Sequence, residues 1–275
     1  MTPEACRIDG APAATIPVDD RGLAYGDGLF ETMRAVDGRI ALWDFHLARL
    51  RQGCARLGIA PPDAAWLAVE CAALLPGQAD AVLKLLLTRG SGSRGYAPPH
   101  DPRPRRILMR LPAPPPPCPH GLRLLTCATR LPLDPALAGL KHLNRLHQVM
   151  ARAEVDAAGA DEGLCLDAAG RVACATAANV FARVDGELRT PAVEEAGVAG
   201  ACRAALLADP AFGPSVRVGA LSPQEIGRAS EVFLTNAVRG VMPVASIDGR
   251  AIGTGGAATA ARAALSRLGF AVAGT

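Results

Sequence analysis

The stretch LFETMRAVDGRIALWDFHLARL, residues 29–50, decides the fold class because it places a hairpin signal directly before a helix signal. Two apolar runs, 29–35 and 39–43, flank Asp37-Gly38, a dipeptide that favours the tight turn of a β-hairpin. Asp44 stands where a helix N-cap is expected. Apolar residues then recur at helical spacing, at Leu47, Leu50, Cys54 and Leu57. We therefore predict two antiparallel strands followed by an amphipathic helix.

The same alternation of strand and helix patterns continues along the chain. Before residue 111 we predict a helix at 64–75 and strands at 81–88 and 106–111. After residue 121 we predict strands at 122–129, 163–167, 171–184 and 231–238, and helices at 143–158, from about 198, and at 256–268. Hairpins combined with packed helices are typical of an α+β fold, here in two lobes.

A proline-rich segment, LPAPPPPCPHG at 111–121, separates the two lobes. Proline lacks a backbone N–H and restricts φ, so we expect neither a helix nor a central strand there but a stiff connector. The sequence thus predicts an N-terminal α+β lobe at 1–110 and a C-terminal lobe at 122–275.

Composition argues for a cytoplasmic protein that acts on a small molecule. The net charge is +3 and the basic residues are scattered, apart from the group at 103–106, so we expect no nucleic-acid surface. No run approaches the roughly 18 apolar residues of a membrane-spanning helix, and the N-terminus lacks a signal-peptide pattern. The eight cysteines show no metal-ligand spacing, and we interpret them as buried thiols without a metal.

Lysine is nearly absent: 27 of the 29 basic residues are arginines, and only Lys84 and Lys141 carry an amine. Lys84 lies within an apolar strand pattern, which suits either a surface lysine whose stem covers apolar atoms or a residue of a site, and we favour the surface lysine. Lys141 follows a Leu/Pro/Gly-rich loop and precedes a predicted helix. Apolar surroundings at such a boundary can lower the pKa of an amine, which favours Lys141 as nucleophile and base.

The glycine-rich segment GSGSRG, residues 90–95, matches a dinucleotide-binding pattern only in its letters. That fingerprint needs a helix starting at the glycines and an acidic residue about 20 positions later. Here Tyr96-Ala97-Pro98-Pro99 follows, which ends any helix. We interpret the segment as a mobile loop that places Arg94 and Tyr96 near a ligand.

Three further signals suggest binding of an anion, although each has an ordinary alternative. Val198-Ala199-Gly200 precedes a predicted helix, where free amides bind phosphate, but it also suits a plain glycine turn. Thr235-Asn236 ends a predicted strand with short polar side chains. Arg49 lies off the apolar face of its helix, and a guanidinium suits bidentate phosphate contacts.

Together these segments resemble the fold-type IV pyridoxal-phosphate family over nearly the whole chain, and within it the 4-amino-4-deoxychorismate lyase branch. YGDGLFET at 25–32 is general to the family, whereas GSGSRGY at 90–96 and LAGLKHLNR at 137–145 are similar to the lyase branch. Branched-chain transaminases resemble the pattern K-x-x-G-N-Y at the lysine, whereas Lys141 is followed by HLNRL, and this difference favours the lyase branch. The remaining matching segments are HLARL at 46–50, ADEGLCLD at 160–167, AANVF at 177–181, AGVAG at 196–200 and LTNAVRGVMPV at 234–244.

The resemblance implies a homodimer that binds pyridoxal 5'-phosphate, with the C-terminal lobe as the cofactor-binding lobe and loops from both subunits at the site. It implies that Lys141 is the Schiff-base lysine and that Arg49 binds the cofactor phosphate. The amides of Val198 and Ala199, with Thr235 and Asn236, would complete the phosphate cup. The carboxylates of a dianionic substrate would meet side chains among Tyr25, Arg34, Arg94, Tyr96 and Arg106.

One position departs from the family pattern. A glutamate that contacts the pyridine nitrogen follows the valine of a G-x-V-x-E pattern, and here Cys174 stands in its place after Gly170-Arg171-Val172-Ala173. A carboxylate keeps that nitrogen protonated, which a thiol does not do comparably.

The activity implied by the resemblance is the cleavage of 4-amino-4-deoxychorismate to 4-aminobenzoate and pyruvate. Two alternatives stay open. One is a branched-chain or D-amino-acid transaminase of the same fold. The other, suggested by Cys174, is a cofactor-binding protein with reduced activity.

Overall fold

A computed structural model describes residues 3–77, 80–115 and 120–270 of the chain. Contacts between Cα atoms divide it into two compact units. The first comprises Met1–Pro114 with Leu140–Asn144, and the second comprises Pro115–Gly139 with Arg145–Thr275. Residues 140–144, which include Lys141, therefore group with the first unit. The connector predicted at 111–121 had placed them in the C-terminal lobe.

The first unit is built on a six-stranded sheet among the described residues, in the order β2-β1-β6-β5-β3-β4. Each of its strand pairs is antiparallel. Its elements are β1 (Ala5–Ile8), β2 (Ala11–Pro12), α1 (Arg21–Tyr25), β3 (Gly28–Val36), β4 (Arg39–Ile40), α2 (Trp43–Leu57), α3 (Ala64–Ala72), β5 (Ala81–Thr88) and β6 (Arg105–Pro112).

The hairpin predicted from Asp37-Gly38 forms between β3 and β4. Asp37 has φ 49° and Gly38 has φ 73°, so both turn residues adopt the left-handed conformation that this dipeptide tolerates. The following helix differs from the prediction at its start. Leu42, at φ 56°, is the N-cap residue, no side chain caps the helix, and Asp44 lies inside the first turn.

The second unit contains a nine-stranded sheet among the described residues. The order is β12-β11-β10-β13-β14-β7-β8-β9, with β15 paired to β14; the β11–β12, β14–β7 and β7–β8 pairs are parallel. Its elements are β7 (Leu122–Leu131), α4 (Leu146–Ala157), β8 (Glu162–Asp167), β9 (Val172–Ala175), β10 (Asn179–Val184), β11 (Glu187–Pro191), α5 (Ala201–Ala208), β12 (Val216–Gly219), α6 (Pro223–Gly227), β13 (Glu231–Asn236), β14 (Gly240–Ile247), β15 (Arg250–Ala251) and α7 (Gly256–Arg267).

Two predicted elements of the second unit differ from the structure for local reasons. The predicted strand 171–184 is divided into β9 and β10, because Thr176 turns its backbone N–H and its hydroxyl to Glu162. The predicted helix 143–158 begins only at Leu146. Residues 141 and 143 instead make sheet-like hydrogen bonds beside β3.

The proline-rich connector also differs at its beginning. Leu111 and Pro112 belong to β6, which lies between β1 and β5 and is therefore a central strand that ends on the proline. Residues 116–119 of the connector, with Cys118, lie outside the described residues. The seven cysteines of the described residues are free thiols. Among the helices that the structure describes, none is long and apolar enough to cross a membrane.

Candidate active site

Lys141 lies beside β3 in the first unit. The N–H of Phe30 donates to the Lys141 carbonyl at 2.8 Å, and the N–H of Leu143 donates to the carbonyl of Gly28 at 3.0 Å. These two bonds fix the backbone of the lysine against the sheet. The Nζ atom of Lys141 lies 4.2 Å from the centroid of the Phe30 ring, a cation–π contact in a partly buried position. The sequence-predicted nucleophile is thus placed on an aromatic surface.

A buried acid–base network lies on the other face of β3, where Glu31 faces α2. His46 Nδ1 lies 2.6 Å from Glu31 Oε2, and Arg49 Nε donates to Glu31 Oε1 at 2.8 Å. Arg49 Nη2 also contacts the carboxylate. Arg49 was predicted from the sequence, but Glu31 and His46 were not. Their available signal was the spacing of His46 and Arg49, three residues apart on one helix face.

The ionisation of this network follows from its burial and its pairing. Burial alone would raise the pKa of Glu31, but the charge of Arg49 and the hydrogen bonds of His46 and Arg49 lower it to about 2. Burial lowers the pKa of His46 against the opposing effect of Glu31, which favours the neutral ring. A carboxylate only accepts, so Nδ1 carries the ring proton. Nε2 of His46 is buried and has no hydrogen-bond partner among the described residues.

This arrangement predicts how acid affects stability. Because the folded-state pKa of Glu31 is lowered, ionised Glu31 stabilises the fold fully above the ordinary glutamate value of about 4.3. That contribution is lost as the pH falls towards 2. We expect the free energy of unfolding of wild type to fall more steeply between about pH 4 and pH 2 than that of Glu31→Gln. Chemical denaturation at several pH values measures this; Asp44→Asn, an exposed change on α2, is the control. Equal slopes would contradict the ion pair.

In the second unit, Thr235 occupies the end of β13 with its side chain fully enclosed. It is 1% exposed, and its Oγ1 has no hydrogen-bond partner among the described residues. A buried hydroxyl without a partner is costly unless a ligand satisfies it, so Thr235 fits a ligand contact. Asn236 differs, because its Oδ1 accepts from the amides of Val238 and Arg239 and its Nδ2 donates to Ala177. Its side chain shapes the turn after β13.

The helix predicted near Val198 begins at Ala201, with Gly200 as N-cap and no side-chain cap. The N–H of Ala199 is not one of the first-turn donors, because it donates to the carbonyl of Gly139 at 2.9 Å. Val198 forms an isolated bridge with Gly139, and its carbonyl accepts from Asn179 Nδ2 at 2.8 Å. The expectation of a free amide at Ala199 is therefore corrected, whereas the phosphate contact predicted for the Val198 amide stays a prediction. The helix N-terminus that would face an anion begins at Ala201.

Asn179 connects this helix start to Thr235, and the sequence reasoning did not single it out. The two residues are direct partners across β10 and β13, and α5 packs against β13. A Cβ atom on Gly200 would lie 1.9 Å from Asn179 Oδ1, so only glycine fits there. The second unit thus brings an unpartnered buried hydroxyl and a helix N-terminus onto adjacent elements, which is a suitable donor set for a phosphate group.

Cys174 lies in β9 among thiols and small apolar side chains. It is 6% exposed and is the register partner of Cys165 on β8. Cys127, Cys165, Ala173 and Ala196 belong to the same buried cluster. These neighbours leave Cys174 in an apolar environment.

The glycine-rich loop after β5 is tied down by Arg21, a buried residue that the sequence analysis passed over. Its guanidinium donates to the carbonyls of Gly95, Tyr96 and Ala97 at 2.9–3.2 Å. Tyr25 and Tyr96 make an edge contact with ring centroids 5.5 Å apart. The structure therefore brings Tyr25 at the end of α1 into contact with Tyr96 on the anchored loop, and the side chain of Arg94 on that loop is exposed.

The other two arginines predicted for the substrate lie on opposite faces of the first sheet. Arg106 pairs in register with Leu87 and Leu29, not with Phe30, and makes two hydrogen bonds to Glu70 on α3. The structure therefore separates Arg106 from Phe30 and Lys141. Arg34 shares the Phe30 face because it lies four residues further along β3. It is 4% exposed and contacts Asp80 at 2.8 Å.

Comparison with known proteins gives three consistent likenesses. The sequence profile of the aminotransferase class IV family matches residues 28–247. The solved structure of 4-amino-4-deoxychorismate lyase from Pseudomonas aeruginosa is 46% identical, covers 95% of this chain and 98% of its own, and superposes with a TM-score of 0.88. Aminodeoxychorismate lyase from Vibrio harveyi is 33% identical over 88% of this chain and 90% of its own.

A relative with a different name is equally similar in sequence. The putative branched-chain-amino-acid aminotransferase of Methanocaldococcus jannaschii is 33% identical over 87% of this chain and 85% of its own length. Sequence identity to curated relatives alone therefore does not separate a lyase from a transaminase. The higher identity to the solved lyase structure favours the former.

Proposed function

The chain belongs to the aminotransferase class IV family, and from that premise we propose that it is a lyase that converts 4-amino-4-deoxychorismate to 4-aminobenzoate and pyruvate. The predicted α+β fold of fold-type IV enzymes is confirmed by the family match and the solved relatives. Pyridoxal 5'-phosphate is the cofactor of this family. The observation that carries the proposal is Lys141 on the Phe30 ring within KHLNR, the segment most similar to the lyase branch.

The residues fit this cofactor at its phosphate. Thr235 offers a buried hydroxyl without a partner, and the first turn of α5 offers backbone donors from Ala201 onward. The Val198 amide stays in the proposal as a phosphate donor, whereas Ala199, whose N–H donates to Gly139, positions this turn. Arg49 lies with Glu31 on the opposite face of β3 from Phe30, but the charge of Lys141 acts on His46 of the same network. We therefore keep Arg49 as the phosphate ligand that the family resemblance implies, with its guanidinium oriented by Glu31. Asn236 contributes through the turn that it holds after Thr235.

The same observations support the following roles in the reaction. When bound, the cofactor supplies an aldehyde that links covalently to an amine and a ring that accepts electrons. Lys141 Nζ would hold that link at rest and, once displaced by the substrate amine, would take the proton from the amine-bearing carbon of the substrate ring. The bond between the substrate ring and the oxygen of its enolpyruvyl group would then break, and the substrate ring would become the aromatic ring of 4-aminobenzoate. The enolpyruvate that leaves would take up a proton to become pyruvate.

Cys174 is the position that fits the cofactor least well. Among apolar neighbours, a thiol does not hold a pyridine nitrogen in its protonated form as a carboxylate does. Formation of an aromatic product supplies driving force that a transaminase lacks. We therefore infer that the loss of the glutamate harms the lyase reaction less than it would harm transamination.

We further propose a homodimer in the cytoplasm, acting on a dianionic small molecule. Large apolar side chains that are exposed in the isolated chain support a second copy; they include Leu23 at 63%, Tyr96 at 85% and Leu146 at 74%. The free thiols support a reducing compartment. Light scattering of the purified holoenzyme at several concentrations tests the dimer, and a mass of one chain throughout would exclude it.

The most direct test of the function is product release. Purified holoenzyme is mixed with 4-amino-4-deoxychorismate, and 4-aminobenzoate and pyruvate are quantified over time. We expect equal amounts of both products. New amino acid from an amino acid and a keto acid, without release of 4-aminobenzoate, would instead support the transaminase, which the likeness to the Methanocaldococcus protein keeps as the second candidate. Bound cofactor without either product would support a binding protein of reduced activity.

A first variant tests the phosphate contact. Arg49→Ala removes a charge-assisted contact worth about 1.5–3 kcal/mol, so we expect cofactor affinity to fall about tenfold to a hundredfold. Titration of the apoprotein with cofactor measures the affinity. Arg51→Ala, an exposed change on the same helix, is the control and should bind as wild type does. Unchanged affinity in folded Arg49→Ala would restrict Arg49 to its ion pair with Glu31.

A further inference from the structure

The glycine-rich loop, residues 90–97, is folded around the side chain of Arg21. The guanidinium donates to the carbonyls of three consecutive residues, 95–97, at 2.9–3.2 Å. A Cβ atom on Gly92 would lie 2.8 Å from Arg21 Cδ, so the stem of the arginine packs directly on that glycine. Arg21 is 4% exposed, whereas residues 93–97 are exposed. One buried cation thus provides the framework of a loop that has few apolar contacts of its own.

The charge of Arg21 is balanced by Asp27, which it shares with Arg89. Arg21 Nε and Arg89 Nε both donate to Asp27 Oδ2 at 2.8 Å. Burial raises the pKa of Asp27, but the hydrogen bonds and charges of the two arginines outweigh it and lower that pKa. Arg89 directs its remaining donors to two carbonyls at the end of α2, those of Leu57 and Gly58. The two arginines therefore share one carboxylate, but of the two it is Arg21 that donates to the loop.

Helix α1 connects this loop to the segment of Lys141. Arg21 is the first residue of α1, and Gly26 is its C-cap residue. Asn144, three residues after Lys141, donates through Nδ2 to the Gly26 carbonyl at 3.2 Å. A helix of five residues is about 7.5 Å long, and all of these residues belong to the first unit. The loop is therefore held at one end of a short helix whose other end contacts the lysine segment.

We propose that Arg21 is a positioning residue that holds the glycine-rich loop in its binding conformation before the substrate arrives, an inference that rests on the proposed lyase function. Arg94 and Tyr96, the residues of this loop predicted to bind the substrate, are both exposed. The loop contains three glycines, whose backbone freedom would otherwise be lost when the substrate binds. Arg21 transfers that entropy loss from substrate binding to folding, which strengthens binding without a contact of its own to the substrate.

Limited proteolysis measures the order of the loop directly, because trypsin can cut the bond between Arg94 and Gly95. Arg21→Met should be cut there about tenfold faster than wild-type holoenzyme, since cleavage follows the population of the open loop. Arg21→Lys should be intermediate, because an ammonium keeps the charge beside Asp27 but lacks the planar fork that reaches several carbonyls. Arg89→Met is the matched control. It unpairs the same carboxylate but leaves the loop contacts in place, so it should be cut at the wild-type rate.

Steady-state kinetics of the same four holoenzymes tests the effect on the substrate. For Arg21→Met we expect KM for 4-amino-4-deoxychorismate to rise about tenfold with little change in kcat, because the ordering of the loop acts on binding. Arg21→Lys should recover part of this loss. Arg89→Met should keep the wild-type KM even though its unfolding temperature falls as that of Arg21→Met does. This split between stability and KM distinguishes a positioning role from a merely structural one.

Three results would overturn the proposal: equal cutting of wild type and Arg21→Met, faster cutting with an unchanged KM, or equal effects of Arg21→Met and Arg89→Met on both measurements. Failure of the lyase function gives a different result. Wild type that releases no 4-aminobenzoate would refute that function, and the trypsin contrast between Arg21→Met and Arg89→Met would then decide alone whether Arg21 holds the loop.

Discussion

Lys141→Met is expected to lower release of 4-aminobenzoate by at least about a thousandfold, because it removes both the covalent anchor of the cofactor and the base. Methionine keeps the length and apolar stem of the side chain, so the position beside Phe30 should be retained. The measurement is single-turnover product formation at saturating cofactor. The thermal unfolding temperature of the variant should stay close to that of wild type.

Chemical trapping locates the anchor directly. Borohydride reduction of wild-type holoenzyme should leave the cofactor on the peptide that contains Lys141. Because the chain has only one other lysine, Lys84→Met is a complete control and should retain the label. A label on Lys84, or on neither lysine, would refute the assignment of Lys141 as the Schiff-base lysine. Lys84 lies near the same ring, so the experiment distinguishes two neighbouring amines.

Local signals predicted the parts of the fold that depend on short-range chemistry. The Asp37-Gly38 hairpin formed as expected because both residues tolerate positive φ. The strand predicted at 81–88 has those bounds, since its apolar run ends at the glycine loop. In contrast, the start of α5 was placed three residues early, because Val198, Ala199 and Gly200 carry no periodic pattern. Only the pairing of Ala199 with Gly139, distant in sequence, decides where that helix begins.

The site residues likewise divide into those that the sequence predicted and those that depend on contacts distant in sequence. Lys141 was predicted because only two residues carry an amine and because the family resemblance assigns the Schiff base to it. Arg106 was predicted for the substrate, yet a glutamate 36 residues away binds it on the opposite face of the sheet. Glu31 and His46 were missed because a buried charge is stabilised by tertiary partners that no local pattern records. Sequence identified which chemistry is possible, and strand register shows which of the predicted residues share a face of the sheet.

Because the chain has only two lysines, their positions in the first unit are informative. Arginine has a high pKa and a planar charge, so it can pair with carboxylates but does not serve as an amine nucleophile. Replacement of nearly every lysine by arginine would be neutral on the surface and harmful only where an amine or a compact charge is required. Both remaining lysines lie on one ring of the first unit. Of the two, the family resemblance assigns the covalent role to Lys141.

The second large effect is expected from Cys174→Glu. If Cys174 faces the pyridine nitrogen, a carboxylate there raises the pKa of that nitrogen by about one to three. A rise of about two shifts the protonation equilibrium of the ring about a hundredfold. Transamination needs the ring to hold electrons through a full half-reaction, so it should rise by about that factor. The lyase reaction needs the electron sink briefly and should gain little. Both turnovers are measured at saturating cofactor, with the cofactor's absorbance followed against pH.

Cys174→Gln is the matched control, because it has the size of the glutamate without its charge. In Cys174→Glu the new carboxylate is buried among thiols and alanines, so it should destabilise the apoprotein. Cofactor binding should restore stability, because the protonated pyridine ring pairs with the carboxylate. We therefore expect a wider gap in unfolding temperature between holo- and apoprotein for Cys174→Glu than for Cys174→Gln. A large gain in transamination with no lyase activity in wild type or variant would establish the transaminase. If neither the absorbance nor either turnover changes, Cys174 does not face the nitrogen, and the alignment around Val172 is wrong.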